Sequence, residues 1–282
     1  MFISYNAKNI TPFITPFYKN LQWVQALGTG VDPLLQCNKL RTDDSIVLTN
    51  MKSVSSGLLA EFAIFGLLYF FKRLSVFQER FNQKNPVNER LVFSVENLNV
   101  LVVGIGSIGQ EIAKRFKYGL NMKITGVKRD LTKTEHLKGL VEDVISLDSI
   151  SDHIHKFDVV VNAMPAVSGG PVFTDEVFSK MKKKTVFINV GRGTILDEQA
   201  LIKYLLNDHL FGAALDVIQN EPIQKDSHFY DERLKHKLFY SFHKMDGSED
   251  YDRKLESLIE ENVLNYLQGR ELVRKIDKKL GY

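Results

Sequence analysis

The chain has 282 residues, 44% hydrophobic and 25% charged, with a formal net charge of +3. That balance permits a substantial core and two domains of ordinary size, and it excludes a disordered chain. The lysines are scattered, densest at Lys182-Lys183-Lys184, so nucleic acid has no electrostatic footprint, and the single cysteine excludes an internal disulfide and a cysteine-rich zinc site. The lysine run reads as a solvated helix end, and Cys37 as a packed side chain in a reducing compartment. No basic segment leads into a long apolar run at the N-terminus, so no secretory signal is expected. The longest apolar run, Gly57 to Phe71, is interrupted by Glu61 and too short to span a bilayer. A cytoplasmic protein with no metal and no membrane partner is expected.

In chain order, the first candidate strands are Met1-Tyr5, Gln22-Ala26 and Ile46-Leu48, with Gly28-Thr29-Gly30 looping after the second. A helix from about Ser55 to Lys72 leads into the polar stretch Gln78 to Arg90, which reads as a domain crossing, with the boundary near residue 90. Beyond it, strand-like runs alternate with helical ones: Val100-Val103, Ile124-Val127, Val144-Ser146, Val159-Asn162, Val186-Val190, Ala213-Val217 and Leu238-Tyr240. That alternation predicts an α/β fold, a doubly wound parallel sheet with helices on both faces, over residues 91–245. The tail, 246–282, carries an amphipathic helix from Asp250 to Leu267 whose apolar face is Leu255, Ile259, Val263, Leu264 and Leu267. Residues 1–90 form the second, smaller domain.

One stretch organises the larger half. The run Leu98 to Val103 meets Gly104, Gly106 and Gly109 at G-x-G-x-x-G spacing and passes directly into helical apolar spacing at Ile108, Ile112, Ala113 and Phe116. It reads as strand, phosphate turn and helix. Gly104 allows the tight turn, Gly106 the approach of a pyrophosphate, and Gly109 close packing of helix on strand. The next strand ends in Lys128-Arg129, nineteen residues past Gly109, where a carboxylate would favour the free ribose of NAD. Two cations there favour a 2′-phosphate, so NADP(H) is the preferred cofactor and NAD(H) a possible one. An ordinary basic turn, followed by Asp130, is the alternative.

Three further segments follow strands, where open parallel sheets place their ligands. They are Asn189-Val190-Gly191-Arg192-Gly193, Leu215-Asp216-Val217 running on to Glu221-Pro222, and Ser241-Phe242-His243. Taken singly, Arg192 reads as a surface salt bridge, Glu221 as a turn carboxylate and His243 as one of seven histidines. Together they supply a planar fork for a carboxylate and a carboxylate–imidazole pair for proton transfer.

From about Leu21 to Tyr282 these motifs, with Leu21-Gln22-Trp23-Val24-Gln25, Gly28 to Asp32 and Ala60-Glu61-Phe62, stand in an order that resembles the D-isomer-specific 2-hydroxyacid dehydrogenases, most closely their glyoxylate/hydroxypyruvate reductase-like branch. The resemblance implies a Rossmann-like cofactor domain, a smaller flavodoxin-like substrate domain, a cleft site between them and a homodimer. It implies that Arg192 binds the carboxylate and carbonyl oxygen of a small 2-oxo acid, that His243 protonates that oxygen, and that Glu221 orients the imidazole. The amides of Thr29 and Gly30 would take the substrate carboxylate. Gly104, Gly106, Ser107, Ile108, Gly109, Lys128, Arg129, Pro165 and Asp216 would contact the cofactor.

The chain departs from the family pattern in places. Phe242 stands where proline usually precedes the histidine, Ser53 replaces a usual glycine, and Asn162 to Gly170 keeps Pro165 but not the usual threonines. Only twenty residues precede Leu21, so the substrate domain is expected to lack about one supersecondary unit and to be truncated or completed by a partner subunit. A dinucleotide-sensing corepressor of the same fold, or a catalytically impaired relative, are the alternative functions.

Overall fold

The computed structural model describes residues 2–4, 19–167 and 169–281. Met1 and Tyr5 of the first expected strand, Ser168 and Tyr282 lie outside the described residues. The chain divides into two compact units, Gly57–Met245 and a smaller one made of Met1–Ser56 with Asp246–Tyr282.

The smaller unit holds a parallel sheet of β1 (Phe2–Ser4), β2 (Trp23–Ala26) and β3 (Val47–Thr49), with β2 in the centre. Its core gathers Val24, Ala26, Leu34, Leu40, Leu48 and Ile276, with Cys37 buried among them. The helix Glu249–Leu267 turns inward along Leu258, Asn262 and Asn265, whereas Leu264 and Leu267 are 45% and 73% exposed. That corrects the apolar face read from the sequence. Asn262 can be interior because its amide is matched: it accepts from Val273 N (2.8 Å) and donates to Gln25 Oε1 (3.1 Å) and Val273 O (3.2 Å). Counting apolar residues cannot register a paired asparagine as a core residue.

The larger unit is a seven-stranded parallel sheet of β4 (Asn99–Val103), β5 (Lys123–Lys128), β6 (Asp143–Ser146), β7 (Val159–Asn162), β8 (Thr185–Asn189), β9 (Leu210–Leu215) and β10 (Leu238–Tyr240). Its order is β10-β9-β8-β7-β4-β5-β6. The chain starts in the middle, builds outward through β5 and β6, then reverses at β7, so the gap between β4 and β7 is a topological switch point. Alternate residues of each strand face opposite sides. Val100, Val102, Val161 and Ile188 meet the helices Ser56–Phe71 and Ser107–Leu120, while Leu101, Val103, Val160 and Phe187 meet Asp175–Lys180 and Glu198–Leu206. Burial on both faces explains why these strands read as continuous apolar runs.

The division falls at Ser56/Gly57 and not near residue 90. Leu59, Phe62, Leu67 and Phe70 of the helix Ser56–Phe71 pack on Val100, Val102 and Ala214, and Phe62, Phe65 and Tyr69 surround Phe239. The polar stretch read as a crossing begins as the helix Leu74–Asn82 and is tied to this same unit, since Glu79 binds Lys235 (2.8 Å) and His236 (2.6 Å). Polarity there marks an exposed, ion-paired helix. Among the described residues, no helix is long and apolar enough to cross a membrane.

Gly66 lets the first of these helices lie directly on the sheet, because a Cβ at Gly66 would stand 2.6 Å from Ala214 Cβ. In an exposed helix, Gly to Ala stabilises by about 1 kcal/mol. Here Gly66→Ala is expected to do the opposite, lowering stability by about 1–3 kcal/mol through overpacking, read as a lower urea midpoint at unchanged slope.

Candidate active site

The three glycines occupy three different environments. Gly104 has φ +93°, a conformation that glycine adopts without steric cost, and a Cβ there would meet Met164 N at 2.9 Å. A Cβ on Gly109 would stand 2.2 Å from Gly104 O, so only a hydrogen allows the helix this close to the turn. At Gly106 nothing lies within 4 Å of a Cβ position, which leaves the turn open to an approaching group. The helix Ser107–Leu120 starts at Gly106 with no side-chain cap, and its first amides, at Ser107, Ile108 and Gly109, face the N-terminal end where an anion is favoured. These residues fit a dinucleotide pyrophosphate.

Beside the turn, Gly104 N and Ile105 N both donate to Val127 O (3.2 and 3.1 Å), so the end of β5 is stitched to the glycines. Lys128 and Arg129 follow. The Lys128 ammonium donates to the Lys133 carbonyl, and Asp130 folds back to accept from Thr132 N (2.9 Å) and Thr132 Oγ1 (2.6 Å). Asp130 Oδ1 is thereby committed to its own turn, and its carboxyl is held below the ordinary carboxylate value by those Thr132 bonds.

The loops after β7 and β8 are joined by two buried asparagines for which the sequence reading gave no role. Asn162 Nδ2 donates to Asn189 Oδ1 (2.8 Å), and that oxygen also accepts from Gly191 N (3.1 Å). Asn162 Oδ1 accepts from Met164 N (3.2 Å) and Asn189 Nδ2 donates to Arg192 O (3.2 Å). The pair therefore fixes both the Met164-Pro165 loop and the backbone of Arg192. A signal was present: each asparagine is the last residue of a fully buried strand and follows directly on an apolar run, Val159–Val161 in β7 and Val186–Ile188 in β8.

Gly193 closes against the next loop, since a Cβ there would stand 1.9 Å from Ile218 C. This places Arg192 beside the segment after β9, and its guanidinium donates to Gly191 O (2.9 Å). Across that segment Glu221 uses both oxygens: Oε1 accepts from Ile218 N (3.0 Å) and Oε2 pairs with His243 Nδ1 (2.8 Å). Burial of Glu221 opposes ionisation, but the His243 and Ile218 bonds and the charges of His243 and Arg192 outweigh it and hold the carboxyl below its usual value. The bond to Glu221 raises His243, partial burial opposes that rise, and the charges of Glu221 and Asp216 add to it. Glu198 stands nearby, accepting from Gln219 N (2.5 Å), and burial pushes its carboxyl up.

Asp216 is buried to 1% exposure and holds the histidine loop. Its carboxylate accepts from Ser241 Oγ (2.7 Å) and Met245 N (3.3 Å), and its carbonyl accepts from His243 N (2.8 Å). Phe242 and His243 have φ of +58° and +54°, and the Phe242 ring lies 4.7 Å from that of Tyr240. The structure thus brings Arg192, Asp216, Glu221 and His243 together in the larger unit. Thr29 and Gly30 belong to the smaller unit, in the loop after β2.

Residues 64–238 match the family model described as the D-isomer specific 2-hydroxyacid dehydrogenase NAD binding domain. A probable 2-ketogluconate reductase of Dictyostelium discoideum is 30% identical over 219 residues, covering 73% of this chain and 62% of that protein. A glyoxylate reductase of Pyrococcus horikoshii is 31% identical over 203 residues, covering 68% of this chain and 57% of its own length. The chain therefore spans only about six tenths of these curated relatives. The crystal structure of a D-isomer specific 2-hydroxyacid dehydrogenase family protein from Aeromonas salmonicida superposes with a TM-score of 0.83 at 26% identity, over 98% of this chain and 85% of that one.

The His243–Glu221 pair carries a pH signature. With His243 raised above 6.5, its contribution to stability is complete below that pH and lost as pH rises through the folded value. With Glu221 lowered below 4.5, its contribution is present above that pH and lost as pH falls through the folded value. The pair is fully formed between the two. In an NMR titration of the histidine side chains, His243 is expected to have its midpoint above 6.5, and Glu221→Gln should bring it down to that value or below. An unchanged midpoint would show that Glu221 does not govern the imidazole.

Proposed function

The chain belongs to the D-isomer specific 2-hydroxyacid dehydrogenase family, and we propose that it reduces a small 2-oxo acid to the 2-hydroxy acid with a nicotinamide dinucleotide. The observation that carries this reading is the His243 Nδ1–Glu221 Oε2 hydrogen bond (2.8 Å) standing beside Arg192 at the carboxyl edge of a dinucleotide-binding sheet. When bound, the reduced nicotinamide supplies hydride to the 2-oxo carbon and is itself oxidised. His243, whose imidazolium form is favoured by the bond to Glu221, gives the proton to the carbonyl oxygen, which becomes the hydroxyl. Arg192 offers its planar fork to the carboxylate and that same oxygen, and the amides of Thr29 and Gly30 are our candidates for the remaining carboxylate contacts.

For the cofactor, the amides of Ser107, Ile108 and Gly109 are assigned to the pyrophosphate, with Gly104 and Gly106 shaping the turn. Pro165 is assigned to the cofactor-side loop. Asp216 is given a structural part here, as the holder of the histidine loop. Lys128 and Arg129 support NADPH over NADH, because two cations at the end of β5 attract a 2′-phosphate and Asp130 is occupied by Thr132. The substrate class rests on the glyoxylate and 2-ketogluconate reductases among the relatives, both named for 2-oxo acids; glyoxylate and hydroxypyruvate are our first candidates.

The test is the loss of nicotinamide absorbance with glyoxylate, hydroxypyruvate and pyruvate, using each reduced cofactor in turn. Turnover is expected with at least one acid, and its absence with all three would sink the reading. His243→Ala should cut kcat by about 10²–10⁴ while leaving cofactor affinity intact. Arg192→Lys should also fail, since a point charge does not replace a bidentate fork. If His243→Ala kept wild-type kcat, the proton donor would be another group. Replacing Lys128 and Arg129 together by alanine should weaken NADPH by about tenfold or more and NADH far less. Equal losses for both cofactors, or a wild-type preference for NADH, would refute the 2′-phosphate assignment.

A further inference from the structure

We propose that Asn50 is a positioning residue that sets the direction of the Gly30 N–H, and through it the seat of the substrate carboxylate; this rests on the assignment of the Thr29–Gly30 loop made above. Asn50 is the first residue after β3 and is 2% exposed. Its side chain crosses to the loop after the neighbouring strand β2, where Nδ2 donates to Thr29 O at 2.6 Å. Its other end is also matched, Oδ1 accepting from Lys52 N at 3.0 Å, and its own backbone N donates to Arg274 O at 3.2 Å. Two more bonds lace the same loops: Met51 N to Gly28 O and Thr29 Oγ1 to Met51 O, both 3.3 Å.

The consequence follows from peptide geometry. Among the described residues the one cis peptide bond is Glu221–Pro222, so Thr29–Gly30 is trans, and in a planar trans peptide the C=O and the following N–H point in opposite directions. A bond that pins Thr29 O toward Asn50 therefore pins Gly30 N–H away from it. Among the described residues that N–H has no acceptor. A carbonyl that accepts a hydrogen bond also polarises its peptide, so the opposing N–H becomes a stronger donor to an anion. Packing alone would accept a leucine at this buried position; a primary amide with both ends paired is what fixes the peptide plane.

The experiment uses the full chain, Asn50→Ala and Asn50→Asp. The aspartate keeps the acceptor for Lys52 N–H and so keeps the loop closed, but it sets a carboxylate oxygen against Thr29 O and turns the peptide. Both variants are expected to raise KM for the 2-oxo acid by about tenfold or more, with kcat within about threefold and the Kd of the reduced dinucleotide unchanged. A merely structural role would instead lower kcat, cofactor affinity and Tm together, and that outcome overturns the proposal, as does an unchanged KM. A second readout separates it from the reaction itself: oxamate, an unreactive analogue of a 2-oxo acid, added to the 15N-labelled protein with dinucleotide. The Gly30 amide should shift in the wild type and stay fixed in Asn50→Ala. If oxamate moves Gly30 but no 2-oxo acid turns over, the reaction assignment fails and the role of Asn50 stands. If acids turn over and Gly30 does not move, the role of Asn50 fails and the reaction assignment stands.

Discussion

Every strand of the larger sheet runs in one direction, so every strand end, and every loop that carries polar chemistry, emerges along one edge. Strand order then decides which loops meet. Because β4 lies between β5 and β7, the glycine turn stands between Lys128 and the Asn162–Pro165 loop, and Gly104 touches Met164. Because β8, β9 and β10 are consecutive neighbours, Arg192, Glu221 and His243 converge although they are spread over fifty-two positions of sequence. No side chain draws these loops together at first; parallel backbone pairing does, and the side chains then refine the result.

The refinement is done by amides and carboxylates that link one strand end to the next. Asn162 and Asn189 lie opposite each other in the register of β7 and β8, so their side chains meet where the strands stop. Asp216 repeats the device between β9 and β10, and Asn50 repeats it between β2 and β3 in the smaller unit. In each case a buried polar side chain is fully matched, and the benefit is less its net stability, about 1 kcal/mol per bond, than the single loop geometry it enforces. Around Glu221 the same economy holds. Glu221 and Glu198 cap adjacent amides, Ile218 and Gln219, and Gly193 lies against that peptide, so the arginine loop and the carboxylate loop form one packed piece.

Much of this was legible in the sequence, and the physical reason differs by element. The central strands β4, β7, β8 and β9 were readable because burial on both faces favours nearly continuous apolar runs. The glycine turn was readable because Gly104 and Gly109 are each approached too closely for a side chain, while Gly106 stands open at the spacing that a bound pyrophosphate needs. Arg192, Glu221 and His243 were readable only as an ordered set, since each alone suits a surface. What apolar patterning could not show was paired polarity: Asn262 inside the last helix, the Asn162–Asn189 bridge, and Asn50. The boundary was misplaced for a related reason. The polar helix Leu74–Asn82 looks like a linker by composition, but Glu79 anchors it to Lys235 and His236, more than 150 residues away, and no local reading reaches that far.

The loop before His243 carries Phe242 in a backbone conformation that a proline could not adopt. Proline is locked near φ −65°, so it could not occupy the +58° that Phe242 adopts. Two successive residues in the left-handed region cost about 1–3 kcal/mol each, and only a surrounding structure that over-determines them keeps them there. Here that structure is Asp216, whose carbonyl takes His243 N–H and whose carboxylate takes Ser241 and Met245, with the Tyr240 ring in tilted contact with Phe242. A proline would stiffen this loop from within. In this chain the loop is held from outside, by a buried carboxylate on the neighbouring strand end, so Asp216 fixes the backbone that carries the imidazole while Glu221 bonds the ring itself. Asp216 also adds its charge to the forces that raise His243, which couples the placement of the proton donor to its readiness to carry a proton.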